Sequence, residues 1–190
     1  MKVMGHVQDE ELELLKSEAG PQVSFGVASQ KAIYKSLERT VTLARNRREL
    51  FLNLTSKLDK FFAIHKGSYS TFDPEKSLMR VPLVLQENEV KSGIVISIAG
   101  EKSLMRNVLK NVGIYVEDFP RQIVGNIIER KLLLLDKTNS LAIVPLTHEG
   151  IQLGTLNYAS SAPFAFSVFS SHLFDYLFLK VAKKFAALKS

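Results

Sequence analysis

Apolar residues recur every three, four or seven positions from Lys31 to Phe61, which is the spacing of one face of an α-helix. A charged stretch at Arg45 to Glu49 interrupts the pattern, and Arg48 falls on the apolar stripe itself. Two structures fit this interruption: the helix breaks near Asn46, or the stripe passes there from a partner seam to the domain core. An apolar seam of this length favours pairing with a second chain. The stripe consists of Ile33, Leu37, Val41, Ala44, Phe51, Leu54, Leu58 and Phe61.

The middle of the chain changes to short β-type runs. Asp73-Pro74-Glu75-Lys76 has the residue types of a turn, because Pro fixes φ and Asp bonds the backbone ahead of it. Strands are predicted on both sides of this turn, followed by a β-branched third strand, at Phe62 to Phe72, Leu78 to Leu85 and Gly93 to Gly100. Beyond them the pattern predicts a helix, a short strand and another helix, at Glu101 to Asn111, Ile114 to Val116 and Arg121 to Asp136.

The last third of the chain predicts a hairpin and a helix. Leu141 to Val144 and Ile151 to Tyr158 flank a polar turn that ends in Gly150. From about Phe166 to Leu188 apolar residues lie on more than one side of a helix, so this helix needs more than one surface to pack against.

This order of elements predicts an α+β domain, with a central antiparallel β-sheet and the N- and C-terminal helices packed together on one face. Residues 1–28 read as a separate acidic N-terminal segment that is either flexible or lies along the domain, and 29–190 as the folded domain with its long N-terminal helix. No internal repeat or low-complexity segment is visible.

Two stretches resemble the GAF domains, which are small-ligand sensory modules of signalling proteins. The first is Val108 to Pro120, where a helix is followed by Gly113 and a short strand that ends near Asp118. The second, from Asn139 to Ser167, contains Ser-Leu-Ala-Ile-Val-Pro-Leu, then Leu-Gly in the return strand and Phe-Ser before the last helix. The resemblance covers roughly Arg48 to Leu188 and rests on the order and spacing of these motifs.

The resemblance implies a GAF/PAS-like fold, with a ligand pocket in front of the sheet that is roofed by Gly100 to Asn139. It also implies a homodimer through the terminal helices and a connection to a signalling output domain or partner protein. Absence of Cys separates this chain from the bilin carriers and the free methionine sulfoxide reductases of that fold. The Asp-Glu pattern of the cyclic-nucleotide binders is also missing after Phe119.

Composition narrows the functional classes. The 190 residues are 46% hydrophobic and contain no Cys, which excludes disulfides, thiol catalysis and a thioether-bound chromophore, and is compatible with a reducing cytoplasm. Pro163 to Ala182 is the most apolar stretch, but the charges within it indicate a buried amphipathic helix and no membrane segment. The net charge is +6, and the basic residues are scattered, so a solvated surface is favoured over nucleic-acid binding.

Candidate ligand-binding residues come from the predicted strands and from the motifs of the resemblance, and each has a structural alternative. Asp118 either accepts a hydrogen bond from a ligand or caps the turn near Pro120. Ser140 and Ser97 either face a pocket or bond the backbone, and the aromatic rings either line a cavity or belong to the core. The candidates are Tyr69, Ser97, Asp118, Phe119 and Ser140.

No catalytic or metal-binding signature is visible. The sequence has no Gly-x-Ser-x-Gly, no Gly-rich phosphate loop and no His-x-x-x-His, and His148 with Glu149 supplies too few ligands for a metal. The sequence therefore predicts a cytoplasmic, non-enzymatic sensory domain for an unidentified small molecule, without metal or covalent chromophore.

Two other functions remain open from the sequence. One is a ligand-free scaffold that dimerises or docks a protein, and the other is a DNA-linked regulator that uses Arg45 to Arg48 or Lys180 to Lys184. The chain ends just past the last helix, as either the sensor end of a longer protein or a complete protein that acts through partners.

Overall fold

The computed structural model describes residues 27–99, 103–117, 127–133 and 137–188. The helices in these ranges are α1 (Val27–Leu43), α2 (Arg47–Phe62), α3 (Leu104–Asn111), α4 (Ile127–Leu133) and α5 (His172–Ala187). The strands are β1 (Ile64–Asp73), β2 (Leu78–Gln86), β3 (Glu89–Ala99), β4 (Tyr115–Glu117), β5 (Ser140–His148) and β6 (Ile151–Ser160). The acidic segment 1–28 lies outside the described residues except for its last two positions.

The long helical pattern at the N-terminus is two helices, so the first of the two alternatives is correct. Asn46 is the N-cap of α2, and its side chain accepts a hydrogen bond from the Glu49 backbone N–H at 2.8 Å. The Arg47 Nε donates to the Phe185 carbonyl at 3.1 Å, which fixes the start of α2 against α5. The charged interruption in the sequence therefore marks a helix boundary.

The six described strands form one antiparallel sheet in the order β3-β2-β1-β6-β5-β4, which confirms the predicted fold class. Each predicted hairpin is present, and the β5–β6 turn consists of Glu149 and Gly150, both with positive φ, as a two-residue hairpin turn requires. This order places β1 and β6, which are distant in sequence, side by side in the middle of the sheet.

Helices cover both faces of the sheet. We call the side covered by α1, α2 and α5 the terminal-helix face, and the side covered by α3 and α4 the opposite face. The core of the terminal-helix face is rich in aromatic rings, among them Phe51, Tyr158 and Phe185. The core of the opposite face is aliphatic and combines Met105 and Leu109 of α3 with Leu132 of α4.

The last helix begins later than the hydrophobic pattern predicts. Ser167–Ser170 is a turn of 3₁₀-helix, and α5 starts at His172. Phe166 and Phe169 are nonetheless fully buried, with their ring centres 5.1 Å apart, so the apolar pattern reports burial and not helical conformation here. In the described part of the chain, no helix combines the length and the apolar character that crossing a membrane requires.

Candidate functional site

A row of buried polar side chains crosses the middle of the opposite face. Ser68 pairs with Asn157 and Ser70 with Thr155 across the β1–β6 ladder, so all four side chains point the same way. The Asn157 Nδ2 donates to Ser68 Oγ at 3.1 Å, and Ser70 Oγ lies 2.7 Å from Thr155 Oγ1. Each is at most 1% exposed. Because the four groups satisfy one another, this row forms a self-contained hydrogen-bond network.

Helix α4 is held over this face by one buried carboxylate. Glu129 is 0% exposed and accepts hydrogen bonds from the hydroxyl of Ser103 at 2.6 Å and from the backbone N–H groups of Leu104 and Met105 at 2.9 and 3.0 Å. These N–H groups belong to the first turn of α3, where helical partners are missing. Glu129 therefore fixes the relative position of the two helices that cover the opposite face.

Under α4 the centre of the opposite face is closed. No space for a water molecule remains between Leu132 and Leu133 of α4 and the strand residues Lys66, Ser68 and Asn157. A ligand therefore does not fit over the middle of the sheet in this conformation.

A cavity of about 280 Å³ lies further out on the same face, between α4 and strands β1, β2 and β3; we call it the edge cavity. Among the residues that the structure describes, its apolar lining consists of Val84, Ile96 and Leu132. Small-molecule pockets range from about 300 to 1,000 Å³. The edge cavity lies just below this range, so it has room only for a compact metabolite.

The polar lining of the edge cavity is basic, with Lys66, Gln86, Lys91 and Lys131 around the apolar floor. Lys66 is 3% exposed, and its Nζ donates to the Lys131 carbonyl of α4 at 2.6 Å. Burial and the nearby positive charge of Lys91 lower the pKa of Lys66 to about 8. The buried ammonium is therefore still charged at pH 7 but is destabilised by its surroundings.

A second group of titratable side chains includes His65 and Glu87, the chain neighbours of the cavity residues Lys66 and Gln86. His65 Nε2 lies 3.0 Å from Thr138 Oγ1, and the Lys137 Nζ lies 2.5 Å from Glu87 Oε1. Burial lowers the pKa of His65 to about 4, and the positive charges of Lys137 and Lys66 act in the same direction against the opposing charge of Glu87. The His65 Nδ1 is buried and has no hydrogen-bond partner in the described part of the chain, so protonation would create an unpaired donor.

We expect this histidine to make the protein less stable in acid. Since its folded pKa of about 4 lies below the unfolded value of 6.5, the unfolded chain binds a proton that the native chain does not, and stability falls as the pH drops from 6.5 to 4. Urea unfolding of His65→Gln should therefore show less loss of stability between pH 7 and 4.5 than the parent shows. His172→Gln, at a fully exposed ring, is the control and should follow the parent. Parallel pH profiles for the parent and His65→Gln would contradict this assignment.

The three sequence-derived candidates that lie within the described residues, Tyr69, Ser97 and Ser140, do not come together in the structure. Tyr69 lies on the terminal-helix face, 7% exposed, with its ring 5.5 Å from that of Phe51 and 5.8 Å from that of Phe185. Ser97 is exposed on the edge strand β3, and Ser140 is buried and donates to the Ala162 carbonyl at 2.8 Å. Asp118 and Phe119 lie outside the described residues, so both remain predictions.

The lysines of the edge cavity were missed because sequence patterns do not report the position of a strand within the sheet. The alternation of polar residues at positions 66, 68 and 70 of β1 is the one available signal, since it differs from the apolar alternation of a core strand. Within the described ranges no group of three His, Asp or Glu side chains is arranged to hold a metal ion.

Comparison with known proteins gives structural but no sequence relatives. No family model and no curated protein sequence matches this chain. Among solved structures it resembles the GAF domain of an Acinetobacter phosphoenolpyruvate-protein phosphotransferase, with a TM-score of 0.65 and 13% identity over 86% of this chain and 95% of that one. It also resembles the GAF domain of nlh2 from A. aeolicus, with a TM-score of 0.63 and 10% identity over 83% and 96%.

An enzyme has a similar structure. The free methionine-R-sulfoxide reductase of Neisseria meningitidis, solved in complex with its substrate, has a TM-score of 0.64 and 15% identity, covering 89% of this chain and 95% of the enzyme. At these identities the comparisons establish the fold and leave the chemistry of this chain to its own residues.

Proposed function

Because this chain has the fold of GAF domains, we propose that it is a non-enzymatic sensory or regulatory domain that binds a small molecule in the edge cavity. The observation that carries the proposal is the cavity of about 280 Å³ between the sheet and α4, on the face opposite the terminal helices. A concave site with an apolar floor and a few polar groups is the usual form of a small-molecule site.

Strand β1 provides a route from the cavity to the terminal helices. Lys66 lines the cavity, whereas the next residue, Gly67, faces α2: a Cβ at this glycine would lie 3.3 Å from the ring of Phe51. Tyr69, two residues further, contacts Phe51 of α2 and Phe185 of α5. A ligand that binds one position of β1 more tightly would thereby shift the packing of both helices.

We further propose that the terminal helices form a homodimer. Leu43 of α1 and Tyr176 and Leu179 of α5 are 64%, 54% and 63% exposed, so this helix pair presents large side chains with apolar surface to solvent, which a second copy could cover. An ion pair between Lys180 and Glu38 joins the two helices beside these residues. In this assembly, ligand-dependent movement of α5 would reach the partner subunit and any output domain.

Native mass spectrometry of the purified protein tests these proposals together. We expect a dimer that carries an additional small-molecule mass. Ile96→Phe, which adds volume to the edge cavity, should remove this mass and leave the dimer intact, because Ile96 is far from the terminal helices in the fold. Val95→Phe is the matched control, since Val95 is the neighbouring position on the same strand, is 54% exposed and does not line the cavity.

A dimer of polypeptide mass alone would favour a ligand-free scaffold. This second candidate is supported by the closed centre of the opposite face, where α4 packs on the sheet without space for a water molecule. A monomer would count against the proposed coupling between ligand and dimer. An extra mass that survives in Ile96→Phe would place the ligand outside the edge cavity.

A further inference from the structure

A second cavity lies on the terminal-helix face, between α2, the start of β1 and the β2–β3 hairpin turn; we call it the α2 cavity. Its volume is about 330 Å³, which falls within the usual range of small-molecule sites. Leu85 of β2 and Val90 of β3 line it, whereas their chain neighbours Val84, Gln86 and Lys91 line the edge cavity. Since successive strand residues point to opposite faces, the sheet separates the two cavities.

The lining of the α2 cavity combines an apolar set and a polar set. The apolar residues are Leu52, Ile64, Leu85 and Val90. Among the polar residues Thr55 is buried, and its hydroxyl donates to the Phe51 carbonyl at 2.7 Å. The other polar side chains make no hydrogen bond or ion pair with any residue that the structure describes; they belong to Asn53, Ser56, Asp59 and Asn88. Each of these four carries an oxygen that is available to accept a hydrogen bond from a bound molecule.

The charge of the α2 cavity comes from Asp59, which is the one charged residue among the described lining residues. Asp59 lies in the last turn of α2, where the backbone carbonyls give the end of the helix a partial negative charge. Lys57 and Lys60 are close in sequence, but neither lines the cavity, and neither forms an ion pair with Asp59. A cation in the cavity would therefore be stabilised by the carboxylate and by the end of the helix, whereas an anion would be repelled by both.

We propose that the α2 cavity binds a small primary amine, whose ammonium group contacts the Asp59 carboxylate and the side-chain oxygens of Asn53 and Ser56. A protonated amine has N–H donors and no acceptor, which matches a lining with a carboxylate and several acceptor oxygens. Its hydrocarbon chain would cover the apolar residues of the lining, and the volume of about 330 Å³ limits the ligand to a compact amine. This site is separate from the edge cavity and adds a second ligand to the proposed function.

The test is a calorimetric titration of the intact chain at pH 7 with amines and the alcohols of the same shape. Isopentylamine is compared with isopentanol, and 2-phenylethylamine with 2-phenylethanol. We expect each alcohol to bind at least about tenfold more weakly than its amine, because the charge-assisted contact with Asp59 is missing. Asp59→Asn keeps the shape of the side chain and removes its charge, so it should weaken binding of the amines at least about tenfold and leave binding of the alcohols unchanged.

Matched variants separate the cavity from the rest of the surface. Glu75→Gln removes the same charge from an exposed turn residue outside the cavity and should bind amines like the parent. Val90→Phe adds volume at a lining residue that is 38% exposed, so it should block binding without loss of core packing. Val95→Phe is its control, because Val95 lies on the same strand, is 54% exposed and does not line the cavity. Urea unfolding of each variant shows that the fold is retained.

The outcomes also separate this inference from the ligand of the edge cavity. Ile96→Phe fills the edge cavity and should leave amine binding unchanged; a loss of binding there would place the amine on the wrong side of the sheet and overturn the proposal. Alcohols that bind as tightly as their amines, or undiminished amine binding by Asp59→Asn, would overturn it as well. If neither amine binds at millimolar concentration, the α2 cavity is not an amine site, and the co-purified mass expected for the edge cavity is unaffected by that result.

Discussion

Gly154→Ala is expected to lower the free energy of unfolding by about 3 kcal/mol or more. Gly154 lies in β6 with φ of +153°, and a Cβ there would lie 1.9 Å from the Ser70 carbonyl oxygen and 2.7 Å from its carbon. Both atoms belong to the backbone of β1, so no side chain is able to rotate away. The β1–β6 ladder would have to separate at the centre of the sheet.

Gly150→Ala is the matched control for this effect. Gly150 also has a positive φ, of +77°, but its Cβ would meet nothing within 4 Å. Only the conformational cost of the left-handed region remains, about 1 kcal/mol. Equilibrium unfolding in urea measures both variants, and equal losses for the two glycines would show that the contact with Ser70 does not constrain the sheet.

The consequence of Gly154→Ala extends to the candidate site. The hydroxyl of Ser70 in β1 forms a hydrogen bond with the hydroxyl of Thr155 in the buried polar row. The same strand carries Lys66, which lines the edge cavity. Separation of β1 from β6 would therefore disturb the polar row and weaken ligand binding in addition to lowering stability. Gly150→Ala, at the far end of the hairpin, should leave binding unchanged.

Glu129→Ala is expected to lower the free energy of unfolding by about 3 kcal/mol, since it leaves buried donors of α3 without their acceptor. The carboxylate accepts from Ser103 and from two N–H groups of the first turn of α3, at distances of 2.6 to 3.0 Å. Glu129→Gln should lose less than Glu129→Ala, because an amide oxygen still accepts, while the amide nitrogen replaces one acceptor with a donor.

The control for Glu129 is Glu75→Ala, which removes the same charge from an exposed residue of the β1–β2 turn. Urea unfolding should show a change of less than about 0.5 kcal/mol for this control. A loss at Glu129→Ala no larger than that of the control would mean that the carboxylate does not hold α3 and α4 together.

Ligand binding gives a second measurement of the same contact. Glu129 is two residues before Lys131 and three before Leu132, both of which line the edge cavity. Loss of its hydrogen bonds would release α4 from α3 and shift Lys131 and Leu132 in the wall of the cavity. Glu129→Gln should therefore reduce affinity for a ligand of the edge cavity even where the protein remains fully folded.

Local sequence patterns were sufficient for most of the elements. The spacing of apolar residues predicts both terminal helical regions, and the hairpin around Glu149 and Gly150 follows from two apolar runs with a turn that tolerates positive φ. Motif order over Arg48 to Leu188 was also sufficient for the fold, as the structural comparisons show. Boundaries were less accurate, because Phe166 and Phe169 are buried without being part of α5.

The candidate site was not predictable in the same way. Tyr69 and Lys66 lie three residues apart on one strand, and only the pairing of β1 with its neighbours decides which face each side chain occupies. Ser97 was chosen as a polar residue in a β-branched strand, but β3 is the edge of the sheet and the residue is exposed. A small polar residue in a predicted strand does not by itself tell whether its side chain faces a cavity or solvent.

The sequence by itself determined the helical and strand segments, the hairpin turn and the antiparallel α+β class, because these depend on periodicity and turn chemistry within short windows. Only the tertiary structure decided that Lys66 is buried at a cavity, that Glu129 caps a helix 25 residues away, and that α4 closes the centre of the sheet. These features depend on strand order and on packing between residues far apart in the chain. Long-range packing, and not local pattern, therefore defines where this protein is able to bind a ligand.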